Sequence, residues 1–310
     1  MTIHASRGPI VTRRLAVLGA LAAAGALVLT GCGGGSDKSA PRTDTEREAL
    51  HDMLPDAVKK SGVITVGSEM AYPPMEFVRN GKPAGIDPDL AAALGNELGV
   101  RFQFDNGTFD TLLGAQQSKR YDVVMSALSD TSDRQEGIEP ASGMRTGEGV
   151  DFVDYLVSGS SILVRKGNPD HIETLANLCG KNVAVQSGST TYDLLQGQAC
   201  DDPMKIETVA SYSDAQDHLK AGDVAAAVAD FPVSAYAAKT SGGGEDFELA
   251  GEQIDPGPYG IAVLKSNTEL RDALRAALNA TIQNGTYEKV LTKWNVTDGA
   301  MSEGAINGGS

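Results

Sequence analysis

The sequence predicts an α/β fold built from two strand-and-helix units. Segments of strand character alternate with amphipathic helical segments from Val63 to Ser126, and after about Ser158 the alternation starts again. Such alternation argues for a largely parallel sheet. Roughly 250 residues follow Glu48, enough for two compact lobes or one large domain with a sizeable core.

Thr45-Glu46-Arg47-Glu48 has capping-box spacing and precedes Leu50, Met53 and Leu54, which predicts a short leading helix interrupted near Pro55. Val63-Ile64-Thr65-Val66 reads as a buried strand. In the next helix Asp87 can cap, Pro88 suits the first position, Leu90, Leu94 and Leu98 recur on one face, and Gly99 can end it. Strands are expected over residues 102–104 and 121–126, with a helix over about 110–119 between them. The second unit is expected to hold strands at 162–164, 183–185 and 224–229 and helices near 171–178, after Thr190 and near 214–220. Ser241-Gly242-Gly243-Gly244 marks a turn, and residues 259–263 supply a further strand. Leu270, Leu274, Leu278 and Ile282 then form a core stripe, Gly285 is a stop, and Trp294 packs near the end. From Asp298 the chain is rich in glycine and small residues and is expected to be a loosely packed tail.

Ahead of these units, Arg13-Arg14 precede an uncharged apolar run, residues 15–30, that ends at Leu29-Thr30-Gly31-Cys32. The run is short for a bilayer crossing and no second apolar span follows, so residues 1–31 read as a cleaved signal peptide, the other reading being an uncleaved anchor. The small residues before Cys32 resemble a bacterial lipobox, in which the thiol is acylated and the modified cysteine becomes the mature N-terminus. Gly33-Gly34-Gly35-Ser36 opens a polar stretch too poor in apolar surface to fold, so residues 32–43 are expected to be a flexible tether.

The formal charge is −15; the leader carries Arg7, Arg13, Arg14 and no acid, so the remainder carries −18. This balance repels nucleic acid and anionic headgroups, so a membrane contact should come through the lipid and not a basic face. Cys179 and Cys200 are an even pair on an exported chain and are expected to form a disulfide, the other reading being two buried free thiols. His4, His51, His171 and His218 are scattered, and there is neither a CxxC pair nor a Cys/His cluster, so no metal or cofactor is expected.

Several strings, in order, resemble the bacterial extracellular solute-binding family 3, the amino-acid-binding components of ABC importers. Val63-Ile64-Thr65-Val66-Gly67 with Ala71-Tyr72-Pro73-Pro74-Met75-Glu76-Phe77 resembles the family's first strand and YPPFEF loop, and Gly85-Ile86-Asp87-Pro88-Asp89-Leu90 its GFDVDL helix start. Tyr121-Asp122-Val123-Val124-Met125-Ser126 resembles YDVIIS, Thr131-Ser132-Asp133-Arg134 TPER, and Gln186-Ser187-Gly188-Ser189-Thr190 QSGTT. Val228-Ala229-Asp230 resembles the strand ending in Asp, and Pro258-Tyr259-Gly260-Ile261-Ala262-Val263 the PYGIAV return strand. Met75 and Asp130 depart from the pattern, and residues 137–149 form a longer loop than expected, containing Arg145.

The resemblance implies a two-lobe periplasmic-binding-protein-like fold, the type II or Venus-flytrap form, with a two-segment hinge. Lobe 1 would comprise residues 44–157 plus 255–310, and lobe 2 residues 158–254. It also implies a monomer, lipid-anchored outside the cell membrane, that passes a free amino acid to an ABC permease.

A buried zwitterion needs a cation for its carboxylate and an anion for its ammonium. By resemblance Arg134 clamps the carboxylate, Ser189 and Thr190 seat it at a strand-to-helix turn, and Asp230 pairs with the ammonium. Ser126, Ser129 and the Ala127 carbonyl would complete the cage, Tyr72 and Phe109 would wall the ligand side chain, and Glu69 would meet its polar end. A secreted dehydratase resembling the cyclohexadienyl type, with Glu69 or Asp230 moving the proton, is the principal alternative. A sensory protein presenting ligand to a receptor is a third.

Overall fold

Two long strands, Val150–Arg165 and Phe247–Leu264, pair antiparallel and carry the rest of the sheet. The computed structural model describes residues 43–139 and 144–310, so the leader, Cys32 and residues 32–42 of the tether lie outside the described residues. Across the sheet the strands run Lys205–Val209, Asn182–Gln186, Ala226–Asp230, Val150–Arg165, Phe247–Leu264, Val123–Val124, Val63–Ser68 and Arg101–Asn106. Ala226–Asp230 joins the first long strand over Ser160 to Leu163, whereas Val123–Val124 joins the second at Ala262 and Val263. The outer strands are parallel, as the strand-helix alternation requires.

Because the two halves of the sheet attach at opposite ends of the long pair, the chain makes two lobes around one shared ladder. The ladder slips register between Ala250 and Ile254, between Ile254 and Gly257, and between Tyr259 and Gly260. Extra residues of this kind bend and twist a strand locally, and two of the three slips fall where the ladder passes from one half-sheet to the other. In the first lobe the stripe Leu270, Leu274 and Leu278 of helix Thr268–Gln283 meets Leu90, Leu94 and Leu98 of helix Ile86–Leu98 in a fully buried core. A second cluster around Ile162, Val183, Val185, Leu195 and Val228 fills the other lobe.

Several expectations are corrected. The capping box sits two residues earlier than read: Thr43 accepts from the Glu46 N–H and Glu46 reaches back, starting helix Asp44–Asp52. Asp87 does not cap; Gly85 is the capping residue, and Asp87 is buried inside the helix. The expected strands at 162–164 and 259–263 are stretches of the two long strands, since the chain crosses between lobes without leaving the ladder. Residues 121–126 give only Val123–Val124 as strand, and 171–178 give only the short 3-10 turn Leu175–Leu178, preceded by His171 at φ 51. Strand Lys205–Val209 was not anticipated, because its edge position leaves it charged and partly exposed.

The largest correction concerns residues 298–310, which are not a loose tail. Ala305–Ile306 pairs with Val153 and Asp154 of the first long strand. Arg275 Nε donates to the Gly304 carbonyl, the Gly304 N–H donates to Asn279 Oδ1, and Asn307 bonds both Phe152 and Asp151. Small side chains let the backbone lie close enough for its own polar groups to find partners.

Cys179 and Cys200 form the expected disulfide, with Cα atoms 5.5 Å apart and a separation of 21 residues. It ties the 3-10 turn to the end of helix Thr190–Gly197. Closing a loop of this size restricts the unfolded chain by about 3 kcal/mol. Urea unfolding should therefore lose about that much stability on reduction; an unchanged midpoint with both thiols shown free by alkylation would reject the stabilising role.

Candidate functional site

The cleft between the lobes is lined on one side by Tyr72, Phe109, Ala127, Ser129 and Arg134, and on the other by Gln186, Ser189, Thr190, Thr191, Val228, Ala229 and Asp230. Eight of the ten expected binding residues are among them; Glu69 and Ser126 are not.

Arg134 sits in the short helix Ser132–Glu136, whose start is fixed by Thr131 accepting from the Arg134 N–H. Its Nη1 donates to the Ser129 carbonyl at 2.8 Å and its Nη2 crosses the cleft to the Gly188 carbonyl at 3.1 Å. The Phe109 ring lies 5.8 Å from Cζ, within cation-π range. Burial lowers the guanidinium to about 10, opposed by Asp193, Asp230 and Asp130, so it stays charged at neutral pH. Gly188 has φ +72 and packs on Asp110 of the facing lobe, where a Cβ would lie 2.9 Å from that side chain. Only glycine lets the turn close there without displacing a neighbour.

Asp230 ends strand Ala226–Asp230 and stands at the N-cap position of helix Phe231–Thr240, but its side chain makes no cap bond. Instead its Oδ2 accepts from the Tyr72 hydroxyl of the opposite lobe at 2.9 Å. Burial raises its carboxyl to about 6, opposed by Tyr259, Tyr72 and Arg134. Ser129 and Thr190 face each other through their hydroxyls at 3.2 Å. Ser189 caps helix Thr190–Gly197 by accepting from the Tyr192 N–H, and its own hydroxyl donates to the Gln186 carbonyl.

Glu69 lies at one end of the cleft and accepts from Gln186 Nε2 at 2.6 Å, a further bond between the lobes. Burial raises it to about 7; Gln186 opposes this, and Asp110 and Asp214 add to it. Ser126 points away from the cleft. Its hydroxyl donates to Glu76 Oε1 at 2.6 Å and accepts from the Glu69 N–H at 3.0 Å, all fully or nearly buried. Asp87 accepts from the Ala127 N–H and the Tyr155 hydroxyl. Glu76 and Asp87 are fully buried together, and burial and the Asp87 charge raise Glu76 well above the usual carboxyl range. This pair holds Ala127 in its uncommon backbone conformation, φ 46, at the cleft wall.

Gln186, Thr191, Val228 and Ala229 were not anticipated as lining residues. Gln186 and Val228-Ala229 stood inside strings already singled out, and strand alternation in Asn182–Gln186 and Ala226–Asp230 was the only signal for which side chains face the cleft. Arg145, from the long loop, is largely exposed and pairs with Glu136 at 3.9 Å. It belongs to a small hairpin, Ile138–Glu139 with Met144–Arg145; residues 140–143 lie outside the described residues. Among the described residues no group of His, Cys, Asp and Glu is placed to hold a metal ion.

A cation and an anion thus stand on opposite walls of one cleft, with hydroxyls between them and aromatic rings beside them. The family model of the bacterial extracellular solute-binding proteins, family 3, matches residues 64–297. The chain belongs to this family. Among family 3 relatives, an arginine-binding protein of Corynebacterium glutamicum is 29% identical over 266 residues, covering 83% of this chain and 82% of its own. A histidine-binding periplasmic protein of Salmonella typhimurium is 28% identical over 237 residues, covering 74% and 86%. An ancestral arginine-binding protein solved with arginine bound is 36% identical with a TM-score of 0.68, covering 75% of this chain and 98% of that one. An ancestral amino-acid-binding protein described as a precursor of cyclohexadienyl dehydratase is 32% identical with a TM-score of 0.66, covering 77% and 97%.

The cleft carboxyls make stability depend on pH with a definite sign. Asp230 is raised from 3.8 to about 6 and Glu69 from 4.5 to about 7. Between those values the folded protein holds protons that the unfolded chain releases, so their contribution to stability falls as pH rises from about 4 to 7. Urea midpoints across this range should fall less steeply for Asp230→Asn with Glu69→Gln than for the parent; equal slopes would show that these groups do not titrate as the geometry requires.

Proposed function

We propose that this family 3 protein captures a polar or cationic L-amino acid between its lobes and delivers it to an ABC permease. The observation that carries the reading is the placement of Arg134 on one lobe and Asp230 on the other, facing a shared cleft. A free amino acid carries the two complementary charges at one carbon, so a single ligand can pair with both and join the lobes. Arg134 suits the carboxylate because its planar fork offers paired donors. Asp230 suits the ammonium, with Ser129, Thr190 and the Ala127 backbone supplying further polar partners.

Glu69 sets the side-chain preference. With Asp110 and Asp214 nearby it gives that end of the cleft an acidic character, which favours a guanidinium or ammonium. The arginine-binding relatives support the same preference. The hinge is the crossing of the two long strands, so the lobes divide as residues 44–157 plus 255–310 and residues 158–254, a division supported by the register slips around Ile254. Closure is stabilised by the ligand's differential affinity for the closed form, and that form is what the permease reads. The protein works as a monomer held by a lipid on Cys32, and it binds rather than converts its ligand. Among the described residues no helix is long and apolar enough to cross a membrane.

Calorimetry of residues 33–310 against the common L-amino acids should find one small group bound, arginine among them. Arg134→Ala or Asp230→Ala should each cost ~3–5 kcal/mol, because either change leaves a buried charge without its partner. Full affinity in both variants would refute the site. Affinity should also weaken below about pH 6, where Asp230 takes up a proton and can no longer pair with an ammonium. A dehydratase-like activity, favoured only by likeness to the dehydratase precursor, would be recognised by mass spectrometry as loss of water from an incubated cyclic acid.

A further inference from the structure

We propose that residues 300–310 form a strap that holds the Ser129 to Arg134 loop in its ligand-clamping position, with Asp130 and Gly309 as the point of attachment. The loop is the part of lobe 1 that carries the guanidinium, and it has little secondary structure of its own: Ser129 forms a single bridge to Tyr259, and the helix after it has five residues. On one side it rests on the second long strand, where the Asp130 N–H donates to the Pro258 carbonyl at 2.9 Å and the Gly260 N–H to the Leu128 carbonyl at 3.0 Å. On the other side it rests on the strap.

The contact there is specific. The Gly309 N–H donates to Asp130 Oδ2 at 2.8 Å, the neighbouring Gly308 N–H donates to Asp154 Oδ2 at 2.9 Å, and Asp130 Oδ1 accepts from Gln135 Nε2 at 2.7 Å. One buried carboxylate therefore joins the strap to the residue beside Ser129 and to the helix that carries Arg134. Asp154, fully buried, is raised to about 7, chiefly by burial; the Gly308 N–H opposes this and the nearby Asp130 adds to it. Gly309 lies against the Asp130 backbone so closely that a Cβ would strike the Asp130 carbonyl, which cannot swing aside as a side-chain tip can. Upstream the strap is anchored independently, by the pairing of Ala305–Ile306 with the first long strand and by Asn307.

Two further facts make this a feature of the chain and not of the family pattern. The family match ends at residue 297, before the strap begins. Asp130, the residue it holds, is one of the positions where the sequence departs from the family strings.

The affinity part of the proposal rests on the reading of Arg134 as the carboxylate clamp; the loop part does not. The test uses the full chain after the leader, Gly309→Ala, and a chain ending at residue 306, each measured by thermal unfolding, by hydrogen exchange over residues 128–134, and by calorimetry with L-arginine. Both altered chains should lose protection in residues 128–134 while the unfolding midpoint changes little, and affinity should fall on the order of tenfold, as expected when a charged hydrogen bond is misplaced. Asp130→Asn keeps an acceptor for the Gly309 N–H and should retain protection, whereas Asp130→Leu should lose it. Unchanged protection in Gly309→Ala and in the shortened chain would overturn the strap, and lost protection with full affinity would overturn its role in binding. If the full chain binds no L-arginine, the arginine reading of the cleft fails, and the exchange result alone decides whether the strap holds the loop.

Discussion

The antiparallel pairing of Val150–Arg165 with Phe247–Leu264 is the constraint on which the rest of the molecule depends. Among the described residues the half-sheets are joined strand to strand through this pair: the Ala226–Asp230 side and the Val123–Val124 side each hydrogen-bond to it at its own end. Backbone ladders resist stretching but yield to bending at bulges, so a pair with register slips in its middle keeps the lobes in register while letting their angle change. The site residues then follow from parallel-sheet geometry. Asp230 and Gln186 stand at the C-terminal ends of their strands, Ser189 and Thr190 at the start of the helix after one of them, Tyr72 in the two-residue strand Ala71–Tyr72 that follows Val63–Ser68, and Ser129 on the loop after Val123–Val124.

Gathering charges at this crossing is costly, and the surroundings show how the cost is met. Arg134 gives its two terminal nitrogens to carbonyl groups, one from each lobe, while Asp230 takes the Tyr72 hydroxyl and Glu69 the Gln186 amide. Three of these four bonds cross the cleft. In the proposed function a ligand's carboxylate and ammonium replace neutral partners with oppositely charged ones, adding ion-pair attraction to bonds that already have one ionised partner. Closure is thereby linked to the presence of a dipolar ligand and not to contact between the lobes alone. The buried Glu76 and Asp87 pair and the Gly309 contact to Asp130 lie behind the same wall, bonded to the segment that brings Ala127, Ser129 and Arg134 to the cleft.

Much of this was readable from the residues. Tyr72, Arg134, Ser189, Thr190 and Asp230 sit in short strings whose order resembles the family's, and the resemblance is what marked them, since a cation after a helix cap, hydroxyls at a glycine turn or an acid closing an apolar strand is common in any protein. Ser126 was harder to read because a residue at a strand end can face either side, and a small bend decides which. Its hydroxyl donates to a buried carboxyl behind the cleft wall, while Glu69 meets Gln186 of the facing lobe at the end of the cleft. The mistaken cap at Asp87 has a related cause, since an acid beside a proline at a helix start looks like a cap unless a buried tyrosine and a strained N–H elsewhere claim its oxygens.

What the sequence by itself determined was the strand-helix alternation, the core stripes of the long helices and the cysteine pair, because each is written in spacing or in residue type within a few positions, while the charged residues of the cleft were marked by resemblance to the family's strings. What only the tertiary structure decided was that two distant segments are single long strands paired through both lobes, that Gln186 bridges to Glu69 across 117 positions, and that a glycine-rich tail returns across 179 positions to grip Asp130. The physical reason is that local sequence sets which conformations a segment prefers. Which buried donor meets which buried acceptor is settled only when the whole chain has closed around them.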